Sequence, residues 1–331
     1  MRIIRGCEHD PYKNLASEEY LLESTADDTF MVWRNSASVI IGKNQNAYAE
    51  VNTEYTERNN IPVVRRLTGG GAVFHDPGNV NFTFITAADD SSEIDFARFT
   101  TPITDCLGEL GVTALLDGRN DIIAEGFKIS GNAQCVYRRK DGTKMLMHHG
   151  TLLYDADVAA LANSLRVNSE KMRSKGIKSV SSRVKNIRSI GELSMTSEEF
   201  ADYVIRSAEA RFGAPAEMFT DDDLRKISAI SESKYSTWEW NFGRSPEYGN
   251  SKTHRFPFGT VTADFTVEGG IIRAVAITGD FFGVADVSSV EEILTGTRFR
   301  RDDVLTALGT FPVSDVISGS TAADLTELFF G

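Results

Sequence analysis

Apolar positions along this chain recur with two short periods, one near 3.6 residues and one of two, and no longer repeat is superimposed on them. Residues 15–23 carry apolar side chains at helical spacing, with Asn14 as the expected N-cap and Glu18 and Glu19 near the favoured end of the helix dipole. The period then shortens. Residues 30–34 and 38–41 read as strands, the second closed by Gly42. Pro62-Val63-Val64-Arg65-Arg66 reads as a strand running into Gly69-Gly70-Gly71, and Ala72-Val73-Phe74-His75 as extended chain. Asp76-Pro77-Gly78-Asn79 reads as a turn, after which Val80-Asn81-Phe82-Thr83-Phe84 alternates strictly. A helix is expected over 99–110, strands over 121–123 and 127–130 with a break at Gly131, and a strand over 146–154. Helices are expected over 158–165 and 197–212.

The texture changes between Trp238 and Ser251, where turn residues crowd together as they do in a linker. Beyond it, 255–258, 260–267 and 271–278 read as a small meander with a hairpin turn at Glu268-Gly269-Gly270, followed by helices over 290–294, 301–308 and 322–329. The expected organisation is α+β: a large mixed-sheet domain over 1–247 and a small α+β domain over 248–331.

Composition narrows the class. The chain has 331 residues, 41% hydrophobic and 25% charged, which are globular proportions and exclude disordered and collagen-like chains. Thirty-five Lys and Arg against 47 Asp and Glu leave a net charge of -12, which argues against a general nucleic-acid binder. No apolar run approaches the roughly 18 residues of a membrane span, and no signal-peptide core follows the first residues. Cys7, Cys106 and Cys135 have neither disulfide-framework nor metal-type spacing. The expectation is a soluble cytoplasmic protein without nucleic-acid or membrane partners.

Three segments carry candidate chemistry. In Arg65-Arg66-Leu67-Thr68-Gly69-Gly70-Gly71-Ala72-Val73-Phe74-His75-Asp76, the glycines let the backbone approach a ligand and aim N–H groups at an anion. The arginines add charge-assisted donors for carboxylate or phosphate. No Gly-Lys-Ser/Thr follows, and the glycines enter a strand rather than a helix, so neither a P-loop nor a dinucleotide fingerprint fits. The alternative is a glycine-rich hairpin with a solvated arginine pair. In Lys128-Ile129-Ser130-Gly131-Asn132-Ala133, strand alternation puts Lys128 and Ser130 on one face and Ile129 on the other. A lone strand lysine is ordinarily solvated, but Gly118-Arg119-Asn120-Asp121 could bring a metal-binding carboxylate beside it. In His148-His149-Gly150-Thr151, adjacent histidines face opposite ways and cannot chelate one metal; one core and one surface imidazole is an equal reading.

Taken in this order, the three segments resemble the lipoate–protein ligases. The likeness extends over essentially the whole chain, through Asn14-Leu15-Ala16-Ser17-Glu18-Glu19-Tyr20, Trp33-Arg34-Asn35, Gly42-Lys43-Asn44-Gln45-Asn46, the stretch 175–184 and Trp238-Glu239-Trp240-Asn241-Phe242-Gly243. The last precedes the small C-terminal domain of the family's long form. The resemblance implies the biotin/lipoate ligase fold, related to class II synthetases. It also implies a reaction in which lipoate or octanoate is activated by ATP and Mg²⁺ to the acyl-adenylate. The acyl group then passes to a lysine of the lipoyl domains of 2-oxoacid dehydrogenase complexes or of the glycine-cleavage H protein.

By that resemblance Lys128 is the active-site lysine, bridging the acyl carbonyl oxygen and the adenylate phosphate. Arg66, Thr68, the Gly69, Gly70 and Gly71 backbone and His75 match the loop that wraps the acyl chain and phosphate, continuing through Ala72, Val73 and Phe74 along the adenylate. Thr68 stands where some relatives have serine. Trp33 and His149 match positions lining the acyl slot; Asn79 and Asn120 lie near the phosphates, with Asp121 as the Mg²⁺ carboxylate. Lys178, Val180 and Arg183 belong to the loop over the adenine, in the most basic stretch of an acidic chain, where Lys175, Lys185 and Arg188 add to a candidate docking surface for an acidic carrier; an exposed loop kept soluble by its charge is an equal reading. Two rivals share the fold: an ATP-independent octanoyl or lipoyl transferase working through a cysteine thioester, and biotin ligase, whose phosphate loop is patterned differently. A partner-dependent lipoate-binding protein is the rival from another class.

Overall fold

The structure, a computed structural model, describes the chain apart from residues 7, 89–94, 119, 167–182, 244–249, 269 and 331 and the side chain of Tyr48. In chain order the strands are β1 (Arg2–Arg5), β2 (Thr29–Trp33), β3 (Ser38–Ile41), β4 (Val63–Arg65), β5 (Val73–His75), β6 (Asn79–Ala87), β7 (Ala114–Asp117), β8 (Asp121–Ala124), β9 (Phe127–Arg138), β10 (Lys144–Leu153), β11 (Ala216–Glu217), β12 (Asn250–Phe256), β13 (Gly259–Glu268) and β14 (Ile271–Gly279). Eight of them form one mixed sheet in the order β11-β1-β2-β6-β10-β9-β8-β7, parallel through β11, β1 and β2 and antiparallel beyond. β4, β3 and β5 make a small second sheet, and β12, β13 and β14 a third.

The alternation along β6 shows how the sequence assigns the faces of the large sheet. Val80, Phe82 and Phe84 join Phe30, Val32 and Leu152 in a core against the helices Phe96–Glu109 and Ser197–Phe212. The second helix is delimited by a Thr196–Glu199 capping box and by Gly213 at a left-handed C-cap. Asn81 and Thr83, on the opposite face, are not solvated: each is 1% exposed. They lie beneath the second sheet and the helix Pro11–Ser24, whose Leu15, Ala16, Leu21 and Leu22 pack with Met31, Trp33, Ile40 and Val64.

Three local expectations change. The first helix begins at Pro11, because the Asp10 carboxylate caps it by accepting from the Tyr12 and Lys13 amides, and proline suits the first helical position. Asn14 is therefore inside the helix, donating to the Glu8 and Arg34 carbonyls, and Glu18 is a buried mid-helix carboxylate rather than a partner of the dipole. Gly131 does not break the strand: β9 runs on to Arg138.

From β12 onward the chain has its own core, drawn entirely from residues 256–329. This small unit touches the glycine-rich loop. The Gly70 amide donates to the Phe281 carbonyl at 3.2 Å, the Gly279 amide to the Asn44 carbonyl at 2.9 Å, and Lys43 Nζ pairs with Asp286 at 2.8 Å. Among the described residues no helix is long and apolar enough to cross a membrane.

Candidate functional site

A cavity of about 110 Å³ lies between the polar face of the large sheet and the second sheet. Its lining brings together Trp33, Arg66, Gly70, Gly71, Ala72, Val73, His75, Asn120, Lys128 and His149 from the sequence-expected set. Leu15, Ile40, Asn81, Gly131, Asn132, Ala133, Gly150 and Thr151 complete it.

Lys128 reaches this face because of an irregularity. Ile122 pairs with Ser130 but Ile123 with Lys128, so Ile129 is an extra residue in β9. The bulge parts Lys128 from Ser130, which were expected on one face, while Ile129 stays opposite Lys128 as expected. Ile122, across from Ser130, and Ile129 both belong to the helix-side core, while Lys128 shares the cavity face with Asp121. Lys128 Nζ meets Asp121 Oδ1 at 2.7 Å and leans over Gly131, 3.0 Å from where a Cβ there would be. On its other edge the Lys128 amide donates to the Arg183 carbonyl at 2.8 Å, and the Lys185 amide donates back to the Lys128 carbonyl at 3.2 Å. Asn120 and Asn132 bind each other reciprocally, Asn120 Nδ2 donating to the Asn132 carbonyl at 2.6 Å and Asn132 Nδ2 to the Asn120 carbonyl at 3.1 Å.

The arginine pair divides its labour. Arg65 is fully buried and points away from the cavity, donating to five backbone carbonyls. Arg66 borders the cavity, but its guanidinium is spent on bracing the glycine loop: Nη2 donates to the Gly69 and Gly71 carbonyls at 2.6 and 2.9 Å, Nη1 to the Ile40 carbonyl, and Nε to Thr68 Oγ1 at 2.9 Å. Burial lowers Arg66 from its ordinary value to about 10, which leaves it charged at neutral pH. Gly70 has φ +88°, and a Cβ on Gly42 would stand 2.1 Å from the Gly70 carbonyl oxygen, so both positions need glycine.

A buried chain of hydrogen bonds joins the loop to the first helix. Thr68 Oγ1 lies 2.7 Å from His149 Nε2, His149 Nδ1 lies 2.8 Å from Glu18 Oε1, Thr83 Oγ1 donates to Glu18 Oε1 at 2.7 Å, and Trp33 Nε1 donates to Thr83 Oγ1 at 2.9 Å. With Glu18 as a carboxylate acceptor, His149 Nδ1 is the donor of that pair. Glu18, the acceptor at the centre, was missed by sequence reasoning, since a carboxylate within an exposed-looking helix pattern gives no local sign of burial. Asn81 carried a sign, the strict alternation of 80–84.

Other expected residues lie outside the lining. Thr68 and Gly69 stand behind Arg66, and Asn79 behind Asn81, donating to its Oδ1 at 2.8 Å. The Phe74 ring is on the far side of β5 in a separate apolar cluster, because Val73 and His75 take the cavity face. Arg183 contributes its carbonyl to Lys128, and its side chain is exposed. Lys178 and Val180 lie outside the described residues, as does Lys175. Lys185 is paired with Glu125 and Arg188 with Asp155.

Burial strongly disfavours charge on two histidines. His75 is pushed down to about 3 by desolvation, then by the charge of Arg66 and by His149. His148, stacked between Phe82 and Phe99 on the helix side, is also pushed down to about 3, by desolvation and then His149. Between an unfolded value near 6.5 and about 3, the unfolded chain binds protons that the folded chain does not, so stability is full above that window and falls as pH drops through it. Each ring contributes up to about 1.4 kcal/mol per pH unit. Urea unfolding at pH 7 and pH 5 should therefore show the wild type losing about 2 kcal/mol more than a His148→Phe variant, and equal losses would refute the assignment.

The family described as lipoyl protein ligase A/B catalytic domain matches residues 10–209, and that described as bacterial lipoate protein ligase C-terminus matches residues 245–329. The lipoate-protein ligase LplJ of Bacillus subtilis is 40% identical over 327 residues, 97% of each chain. LipL1 of P. falciparum, solved in complex with lipoate, shares the fold with a TM-score of 0.80 at 23% identity, over 99% of this chain and 98% of that one. A lipoate-protein ligase A bound with ATP matches with a TM-score of 0.59 at 25% identity, over 73% of this chain and 98% of that one. Catalytic and C-terminal family signatures thus follow one another along one chain, and a relative matches nearly end to end: this chain belongs to the lipoate–protein ligase family.

Proposed function

We propose that this cytoplasmic protein is an ATP-dependent lipoate–protein ligase, with 1–247 as its catalytic part and 248–331 as an accessory domain. Lipoate or octanoate enters the slot with its carboxylate toward Lys128. A carboxylate oxygen attacks the α-phosphorus of ATP and pyrophosphate leaves. The amine of a carrier lysine, in a 2-oxoacid dehydrogenase lipoyl domain or an H protein, then attacks the acyl carbon and AMP leaves. The observation that carries this reading is the Lys128–Asp121 pair, 2.7 Å apart, at one end of a largely apolar slot roofed by Gly70 and Gly71. Both steps build negative charge on carbonyl and phosphate oxygens, and a fixed ammonium opposes that charge.

Glu18 acts through His149 and Thr68 to set the loop, and Arg66 holds the loop carbonyls inward. Among the described residues no cluster of three or more His, Cys, Asp or Glu side chains is placed to hold a resident metal. A single carboxylate nonetheless suits Mg²⁺, which commonly takes one or two carboxylates and completes its shell with phosphate and water. Asp121 would hold it, and when bound it would neutralise phosphate charge.

The thioester rival needs an accessible thiolate. Cys135 packs with the apolar cluster around the first helix and is pushed up to about 12 by burial, and it does not line the cavity. The test is intact mass of apo lipoyl domain and apo H protein incubated with this protein, lipoate and Mg²⁺, with and without ATP, beside a Cys135→Ser variant. A lipoyl mass gain that needs ATP and survives Cys135→Ser is expected. Transfer without ATP that Cys135→Ser abolishes would make the protein a transferase, and no product from folded protein would leave a binding protein.

A further inference from the structure

The end of the slot away from Lys128 presents two buried hydrogen-bond donors with no partner among the described residues. The order β2-β6-β10-β9 places Trp33 directly opposite Asn81 and Asn81 directly opposite Thr151. The Gly131 amide donates to Thr151 Oγ1 at 3.1 Å, and Lys128 leans over Gly131. The row Lys128–Gly131–Thr151–Asn81–Trp33 thus crosses the sheet, three strand spacings or about 14 Å from Gly131 to Trp33.

At the Trp33 end, Asn81 Nδ2 and His75 Nε2 are buried and unpaired. Neighbouring bonds fix what these atoms offer. Asn14 Nδ2 donates to Asn35 Oδ1 at 2.8 Å, which leaves Asn35 Nδ2 to donate to His75 Nδ1 at 3.0 Å. His75 Nδ1 is therefore an acceptor and the ring proton sits on Nε2. Asn79 Nδ2 donates to Asn81 Oδ1, so the amide nitrogen is the end of Asn81, a residue that lines the slot, left without a partner among the described residues. Two N–H donors in one apolar pocket, with nothing among the described residues to accept from them, call for an acceptor carried by the ligand.

We propose that Asn81 is a specificity-determining residue, selecting acyl chains that carry an acceptor heteroatom at the distal end, such as a ring sulfur or a hydroxyl oxygen, over plain alkanoates of the same length. The inference rests on the ligase reading above, because it takes the carboxylate to lie at Lys128. An alkanoate fills the space but leaves the Asn81 donor stranded, whereas a distal acceptor satisfies it, and sites built around a polar group discriminate in this way. Sulfur accepts weakly, so the preference for lipoate over octanoate should be about tenfold.

The test uses the full-length protein, with lipoate, octanoate and 8-hydroxyoctanoate compared by calorimetric binding and by pyrophosphate release. Wild type should rank lipoate and 8-hydroxyoctanoate above octanoate. Asn81→Leu removes the donor and should bring the three within about twofold, chiefly by improving octanoate. Asn81→Asp keeps the bond from Asn79, removes the donor, and should also abolish the preference, which covers the case of a Leu variant that folds poorly. Unchanged ratios in both variants, or octanoate ahead of lipoate in wild type, would overturn the selection while leaving the ligase intact. Wild-type protein that binds none of the three acids would overturn both.

Discussion

A Lys128→Ala protein should fold normally and lose about 10²–10³ in acyl-adenylate formation and in transfer, the range seen when one preorganised charge-stabilising donor is removed. Its backbone bonds to Arg183 and Lys185 run through the peptide and survive the substitution. The side chain is one-third exposed, so no cavity is left in a core. The ammonium is held by Asp121 on one side and by its lean over Gly131 on the other, which makes it a positioned charge rather than a mobile one. Asp121→Asn should lower transfer less steeply, since the ammonium remains while its anchor weakens, and adenylate formation further, since the same carboxylate would hold Mg²⁺. Pyrophosphate release and carrier mass gain measure the two steps separately, and a thermal melt controls for folding. Wild-type rates from Lys128→Ala would remove Lys128 from the chemistry.

Arg65→Ala should cost about 3–5 kcal/mol of stability. Its guanidinium is fully buried and donates to the carbonyls of Gly42, Lys43, Gln45, Trp240 and Asn241 at 2.6–3.0 Å, tying the loop after β3 to the helical turn Trp238–Asn241. Truncation strands several of these acceptors at once, and each unsatisfied buried group costs about 1–3 kcal/mol before water enters. Arg65→Lys should recover only part, because an ammonium has three donors on one atom and cannot span the fork. Urea midpoints with unchanged slopes would measure the loss, and a change below about 1 kcal/mol would show that the loop is held elsewhere.

Much of the architecture was legible because it follows from local pattern. The alternation over Val80-Asn81-Phe82-Thr83-Phe84 marks two faces of one strand, and the structure keeps those faces apart. The triple glycine and Lys128 meet at one cavity, as their chemistry suggested. What escaped was set by distant partners. The two arginines are adjacent in sequence and opposite in task, and only residues 42–45 and 240–241 decide which is which. Period-two reasoning put Lys128 and Ser130 on one face, and one extra residue, Ile129, parted them. Glu18 reads as a helix-surface acid until Thr83 and His149 are brought to it from β6 and β10.

The pairing of Lys128 with residues 183–185 makes the lysine's own amide a built-in probe. Among the described residues its proton is held by the Arg183 carbonyl, where Lys128 bridges Val184 at the strand edge. Hydrogen–deuterium exchange at this one amide therefore reads how often residues 183–185 let go of the strand. Followed while each substrate is added in turn, it would time that release against the chemistry a few ångströms away, with no label introduced.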